Sequence, residues 1–139
     1  MKSVFQIFDT HTHLGAACHS ARSCTPDELL RNMDRHGVDR SLAIPFPVVE
    51  DYRPQHDLIG HAVHAKPDLL LGAACLFTLI ERALSRQEVR RCREQYGCRA
   101  RKLRPRSHWL NCQHPHRHSV HGAGLEHHTQ ASWTTGTGP

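Results

Sequence analysis

The hydrophobic positions over the first hundred residues alternate between short apolar runs and amphipathic segments. Apolar runs predict strands at residues 4–9, 38–44 and 69–75. Residues 98–104 are a candidate fourth strand, whose four basic residues imply that it lies at a sheet edge or faces a site. Between these runs, apolar residues recur three and four positions apart, which predicts helices. A chain that alternates strands with helices of this length favours right-handed crossovers and a parallel sheet, so the expected fold class is α/β.

Capping signals mark the boundaries of the predicted helices. Residues 25–28 (TPDE) predict a capping box with proline at the first helical position, and Gly37 predicts the end of that helix. A second helix is expected over residues 54–65, before Lys66-Pro67. Residues 85–88 (SRQE) predict a second capping box, which would start a third helix that ends near Gly97.

The first strand is expected to be buried, and it ends in the polar run DTHTH, residues 9–13. Residues two apart in a strand point to the same side of the sheet. The residues expected on one face are Phe5, Ile7, Asp9, His11 and His13. Two imidazoles at positions i and i+2 are able to bind one divalent metal ion, and zinc is a common partner of neutral imidazole.

Composition fits a single globular domain. The chain has 139 residues, of which 38% are hydrophobic and 22% charged. No apolar stretch approaches the ~20 residues of a membrane helix, and no signal peptide is evident, so a cytoplasmic location and no membrane partner are expected. The six cysteines are then expected to be reduced. An alternative is a zinc site of Cys18, His19 and Cys24, although this spacing matches no common zinc module.

The positive charge is concentrated in one segment. The net charge is +5, and nine arginines lie between residues 82 and 106. Such a run is found in nucleic-acid-binding proteins, but it also forms the solvated face of a helix. The helical pattern places Arg86, Arg90 and Arg93 on one side and Val89, Cys92 and Tyr96 on another. Aromatic residues are too scattered for a base-stacking platform, so nucleic acid is not the expected partner.

The pattern changes after residue 107. Seven histidines are found there: His108, His114, His116, His118, His121, His127 and His128. They indicate either a histidine-rich metal-binding segment or an irregular tail. The tail is favoured because the histidines follow no regular spacing. The chain is therefore divided into residues 1–107, with the βα pattern, and residues 108–139, the His-rich tail.

The sequence FDTHTHLG, residues 8–15, resembles the first-strand signature of the amidohydrolase superfamily. The similarity is greatest to its amidohydrolase-2 branch, which includes enzymes like aminocarboxymuconate-semialdehyde decarboxylase. Residues 25–41, 57–75 and 88–103 resemble the βα units that follow in that branch. The resemblance extends over roughly residues 4–115.

The resemblance implies a (β/α)8 TIM barrel with one or two divalent metal ions, usually zinc, and a small-molecule substrate. In such barrels the site lies at the C-terminal ends of the strands. His11 and His13 match the family's metal ligands. Lys102 matches a position that in some branches bridges two metals; it is also consistent with a substrate contact or an ordinary charged residue. The family's reactions are hydrolysis of amides, esters or lactones, and non-oxidative decarboxylation.

The length limits what the resemblance implies. A full barrel takes ~250 residues, so we expect a partial (β/α)8 barrel of four to five βα units, with residues 1–107 as its N-terminal half. Thr134 stands where the family's strand-five histidine is expected, and no strand-eight aspartate has a counterpart. The expected function is a metal-dependent hydrolase, truncated and weak or inactive, whose open sheet edges favour homo-oligomers. The alternatives are a decarboxylase and a non-catalytic His-rich metal-binding protein.

Overall fold

The computed structural model describes residues 5–18, 20–47, 51–75 and 82–102. Its elements are β1 (Phe8–Ala16), β2 (Ser23–Cys24), α1 (Pro26–His36), β3 (Arg40–Pro45), α2 (Arg53–Ala65), β4 (Leu70–Cys75), α3 (Arg82–Tyr96) and β5 (Ala100–Lys102). The predictions for residues 103–139, including the His-rich tail, concern residues outside these ranges. None of the described helices has the length and apolar character needed to cross a bilayer.

The described strands form one mixed sheet in the order β2-β1-β3-β4-β5. β1, β3, β4 and β5 run parallel, which confirms the alternation of strands and helices predicted from the sequence. β2 pairs antiparallel to the end of β1, through Gly15 with Cys24 and Ala16 with Ser23. Only two residues long, β2 is too short to produce a hydrophobic period.

All three helices pack on the same face of this sheet. One core cluster joins Leu14, Ala43 and Leu70 of the strands to α1 and α2, and another joins Ala74 to α3. A separate apolar cluster covers the opposite face. Parallel strands in sequential order with every helix on one side are the arrangement found in successive units of a (β/α)8 barrel.

The ends of α1 follow the predicted capping signals. The Glu28 N–H donates to Thr25 Oγ1 at 3.2 Å, and Glu28 Oε2 accepts from the Thr25 N–H at 2.8 Å. The Thr25 N–H and the Thr25 hydroxyl, which donates to Oε2 at 3.0 Å, hold the pKa of the Glu28 carboxyl below its ordinary value. Gly37 ends the helix with a φ of 68°, in the left-handed region that glycine adopts without strain.

The start of α3 differs from the prediction. The helix begins at Arg82, so Ser85 lies inside it and is buried rather than capping it. The carboxylate of Glu88 contacts His56 and Arg91 instead of an N-cap. The predicted separation of α3 into an apolar side and an arginine side is confirmed. Val89, Cys92 and Tyr96 are buried, and Arg86, Arg90 and Arg93 are exposed.

The first strand is displaced from its predicted position and is less buried. It starts at Phe8 rather than residue 4. Phe5, Ile7 and Phe8 are 78%, 44% and 39% exposed, so the predicted buried segment is wrong for these residues. The segment is held by hydrogen bonds: the Ile7 N–H donates to Asp39 Oδ2 at 2.7 Å, and the Ile7 carbonyl accepts from the Asp39 N–H.

A register shift also separates two residues that were expected on one face. Asp9 pairs with Ser41 and His13 with Ile44, and the shift lies between Asp9 and Thr12. Because Ser41 and Ile44 are three residues apart, they lie on opposite faces of β3. Asp9 and His13 therefore do not share a face, and that prediction is wrong.

The cause of the shift is a local hydrogen-bond system around Asp9. Its Oδ1 accepts from the His11 N–H at 2.9 Å, and its Oδ2 accepts from Thr12 Oγ1 at 2.9 Å. Side chain–backbone bonds of this kind compete with regular strand geometry and accommodate an extra residue. The aspartate thus shapes the strand end instead of extending the histidine face.

Gly60 allows α2 and α3 to approach closely. A Cβ at this position would collide with the ring of Tyr96. We expect Gly60→Ala to lower the free energy of unfolding by about 1–3 kcal/mol, the range for overpacking a core. Urea denaturation measures the change, with Arg90→Ala on the exposed face of α3 as the control. Equal stability of the two variants would contradict this packing.

Candidate metal centre

His13 lies near the C-terminal end of β1 in a defined orientation. Its Nδ1 is 3.1 Å from the carbonyl oxygen of Pro45, the last residue of β3. A carbonyl only accepts hydrogen bonds, so Nδ1 carries the proton and Nε2 keeps its lone pair. The ring also stacks on Phe46, with centroids 5.0 Å apart and planes inclined by 25°. Such contacts orient a histidine ligand.

The structure brings His11 and His13 together. Their ring centroids are 5.0 Å apart, and their planes are inclined by 65°. A tetrahedral zinc ion with Zn–N bonds of about 2.0–2.1 Å would hold two imidazole centroids about 5 Å apart. His11 is exposed and His13 half-buried, so an ion from solvent can reach the pair. The two residues fit a shared divalent metal.

The end of β1, directly after the histidines, depends on Gly15. Its φ of 97° is unfavourable for residues with a side chain, and a Cβ there would collide with Gln55 of α2. The Gln55 side-chain amide donates to the Ala16 carbonyl at 3.1 Å. This contact attaches α2 to the chain directly after the histidine pair.

Lys102 stands at the end of β5, half-buried and in register with Cys75 of β4. By strand alternation it shares a face with Ala100, which packs with Ile44, the partner of His13. β3 and β4 lie between β1 and β5. Three strand spacings amount to about 14 Å along a flat sheet, so Lys102 belongs to the same face as the histidine pair but not to its immediate surroundings.

A second polar group lies between α2, α3 and β4 and was not anticipated from the sequence. The ligand atoms of His56, Glu88 and Cys92 all lie within 4.8 Å of one another. His56 is fully buried, and its Nδ1 is 2.7 Å from Glu88 Oε1. Helical spacing could have indicated that His56 is buried, because it precedes Ile59 and Val63 by three and seven residues and so lies on the apolar side of its helix.

Hydrogen bonds already occupy both nitrogens of His56. The Cys75 N–H donates to Nε2 at 3.0 Å, so that nitrogen needs its lone pair and Nδ1 carries the proton donated to Glu88. Metal binding at Nδ1 would move the proton to Nε2, where it would face the Cys75 N–H. The hydrogen-bonded form therefore describes this group better than a metal site.

The electrostatics of the group give two opposing effects on His56. Burial lowers its pKa, whereas hydrogen bonds to Cys92 and Glu88 raise it. Protonation would, however, place a second N–H against the Cys75 N–H. The contact with the Cys75 N–H decides the protonation state of His56, because a buried donor that faces another donor loses its hydrogen bond. The neutral ring satisfies both neighbours.

Glu88 is the acidic centre of a network that joins the two helices. Arg91 forms a two-bond contact with it, from Nε to Oε2 at 2.9 Å and from Nη2 to Oε1 at 2.8 Å. Burial raises the pKa of Glu88, but hydrogen bonds from His56 and Arg91 outweigh it and hold the pKa at about 2. Arg91 and Tyr96 both donate to Asp57 Oδ1 at 2.7 Å. The network thus connects α3 to α2, and through His56 to the end of β4.

The alternative zinc site of Cys18, His19 and Cys24 receives no support from the thiols that the structure describes. Cys18 Sγ donates to the Pro47 carbonyl at 3.0 Å, and Cys24 Sγ to the Thr25 carbonyl at 3.6 Å. His19 lies outside the described residues. The two thiols hydrogen-bond to different carbonyls.

Solved structures share this fold. No protein-family model matches the chain, and no curated protein matches it by sequence. A probable 2-pyrone-4,6-dicarboxylic acid hydrolase from Acinetobacter baumannii, with citric acid bound, matches 86% of the chain at 18% identity and a TM-score of 0.56. A 2,6-dihydroxybenzoate decarboxylase from Rhizobium matches 85% at 15% identity and a TM-score of 0.63.

Both solved structures are amidohydrolase-2 enzymes, the group that the sequence resembles. The resemblance is therefore confirmed at the level of the fold. The matched regions make up 47% and 46% of the two solved chains, so this chain spans about half the length of each.

Proposed function

We propose that this chain provides the first part of a metal-dependent hydrolase site of the amidohydrolase-2 type, built on a sector of a (β/α)8 barrel. His11 and His13 bind a divalent metal ion, zinc being the first candidate. The sequential parallel strands with helices on one face support the barrel sector.

One observation carries the proposal. The His11 and His13 rings lie 5.0 Å apart, the separation that one tetrahedral ion requires. The Pro45 carbonyl supports the same assignment, because it fixes the His13 tautomer with the proton on Nδ1, in which Nε2 is the nitrogen able to bind a metal. The position at the carboxyl end of β1 agrees with the place of active sites in barrels of this class.

The protein's own residues have distinct tasks in this proposal. A bound metal would supply Lewis acidity and lower the pKa of water. His11 and His13 hold it, while Pro45 and Phe46 orient His13. Lys102 is proposed to contact an anionic group of the substrate, since it ends a strand on the same face.

Decarboxylation is the second candidate reaction. It is favoured by the fold match to the 2,6-dihydroxybenzoate decarboxylase, which has the higher TM-score, 0.63 against 0.56. Hydrolysis is preferred because it needs only an activated water at the metal.

A paired assay tests the proposal. The protein is incubated with zinc and either 2-pyrone-4,6-dicarboxylate, to follow lactone opening, or 2,6-dihydroxybenzoate, to follow release of carbon dioxide. We expect zinc-dependent lactone opening that is slow, because two imidazoles are fewer than the three protein ligands common in catalytic zinc sites. His13→Ala should abolish the reaction, because it removes one of the two proposed ligands. His36→Ala, on the exposed end of α1, should leave the rate unchanged.

The outcomes separate the candidates. Release of carbon dioxide without lactone opening would replace hydrolysis by decarboxylation as the proposed reaction. Lactone opening that survives His13→Ala would contradict the assigned site. Zinc binding with no reaction of either substrate would contradict an enzymatic role for these residues.

A further inference from the structure

The C-terminal end of α3 folds back so that two cysteines meet. Gly97 ends the helix with a φ of 64°, and its N–H donates to the Arg93 carbonyl at 3.1 Å. The next N–H, of Cys98, donates to the Cys92 carbonyl at 3.0 Å. With standard bond lengths, this hydrogen bond keeps the Cα atoms of Cys92 and Cys98 within about 7 Å of each other, close to the range that a disulfide spans.

The two side chains also lie together. Cys92 is 0% and Cys98 6% exposed, and both pack in one cluster with Ala74 and Tyr96. Cys92 Sγ lies 3.5 Å from Glu88 Oε1, to which it donates. The chain thus holds a buried dithiol that the proposed metal centre does not use.

The surroundings make the two thiols unequal. The neighbouring Cys92 thiol lowers the pKa of Cys98, while burial opposes that effect. The same contact, together with burial, raises the pKa of Cys92. Cys98 is therefore the better nucleophile, since the thiolate is the reactive form.

We propose that Cys92 and Cys98 are a redox modification site, which closes into an intramolecular disulfide when the folded protein meets a hydroperoxide. The Cys98 thiolate attacks the peroxide oxygen, the O–O bond breaks, and Cys98 becomes a sulfenic acid as hydroxide leaves and takes up a proton. Cys92 sulfur then attacks the Cys98 sulfur, and water leaves with the Cys92 proton. With hydrogen peroxide, two thiols are oxidised, one peroxide is reduced and two waters form.

Burial selects the oxidant class. A peroxide is small enough to approach a thiol that is 6% exposed, whereas a bulky disulfide such as oxidised glutathione is not. Closure also removes the Cys92 S–H that donates to Glu88, so the oxidised form differs from the reduced form at the His56–Glu88 contact.

The test uses the full chain with Cys18, Cys24 and Cys112 replaced by serine. Folded protein is treated with hydrogen peroxide, alkylated and digested with trypsin, which cuts after Arg93 between the two cysteines. We expect a mass lower by two hydrogens, a 92–98 cross-linked peptide pair, full reversal by dithiothreitol, and Cys75 left free for alkylation after unfolding. The same reaction in urea should close more slowly, because the folded chain holds the pair together.

Two variants complete the test. Cys75→Ser, in the same background, should form the cross-link as before. Cys92→Ser should stop at a Cys98 sulfenic acid that dimedone traps. The proposal is overturned if Cys92 and Cys98 of peroxide-treated folded protein can still be alkylated once it is unfolded, under conditions that link them in urea, or if Cys75 replaces either one in the cross-link.

Discussion

Replacing Glu88 with alanine is expected to lower the free energy of unfolding by about 3 kcal/mol, the lower end of the range for breaking a buried ion pair, because the Glu88 and Arg91 side chains are still 13% and 28% exposed. The substitution would leave the Arg91 guanidinium without its two-bond partner and the His56 Nδ1–H without an acceptor. His56 is fully buried, so no water replaces the lost carboxylate easily. The loss would reach three elements at once, because Glu88 connects α3 with α2 and, through His56, with β4.

Urea denaturation followed by circular dichroism measures this effect. Glu94→Ala is the matched control, since Glu94 is an exposed glutamate of the same helix. It should change stability by less than about 0.5 kcal/mol. Equal midpoints for the two variants would contradict the structural role of the network.

The same carboxylate gives the effect a pH dependence. Its pKa is about 2 in the folded protein, below the ordinary 4.5. The unfolded chain therefore takes up the proton first as pH falls, so the stabilisation is complete above pH 4.5 and is lost between about 4.5 and 2. Allowing for partial solvent exposure, the loss should be about 1–2 kcal/mol, and it should be absent in Glu88→Gln.

Replacing both histidines of the β1 pair is expected to weaken zinc binding by at least about 100-fold. Substitution of groups that only orient a ligand already costs 10- to 100-fold, so loss of the ligands should cost more. Competition with a chromophoric chelator measures the affinity of wild-type protein and of His11→Ala/His13→Ala. Phe46→Ala should give a smaller loss, because it removes only the ring that stacks on His13.

Two controls separate this site from other imidazoles. His36→Ala/His64→Ala removes two exposed helix histidines and should leave zinc affinity unchanged. Replacing the seven histidines between residues 108 and 128 with alanine should leave zinc binding at the His11–His13 pair unchanged. Loss of affinity only in the second control would favour the His-rich metal-binding alternative.

Features that depend on neighbouring residues could be predicted from the sequence. The α1 caps form between residues a few positions apart, and the apolar stripes of α1 and α3 reflect a regular helix. The parallel order followed from the alternation of strands and helices. The resemblance of residues 8–15 also indicated a likeness to amidohydrolase-2 proteins, and two solved structures share the fold over 86% and 85% of the chain.

Features that depend on distant or irregular contacts could not be predicted from the sequence. Asp9 bonds locally and shifts the register, so strict alternation assigned it to the wrong face. Glu88 reads as a capping residue until His56, 32 positions earlier, is known to lie beside it. The Pro45 carbonyl that orients His13 is likewise 32 residues away in the chain. Hydrophobic periodicity carries no information about such partners.

The most direct test of the metal centre is a zinc titration of ¹⁵N-histidine-labelled protein, followed by imidazole nitrogen NMR. The structure predicts that His13 is protonated at Nδ1 before zinc is added and that the Nε2 signal of His13 shifts on binding, together with a ring nitrogen of His11. Saturation should occur at one zinc per pair. Shifts confined to His56 or to histidines beyond residue 107, with the His11 and His13 signals unchanged, would contradict the account.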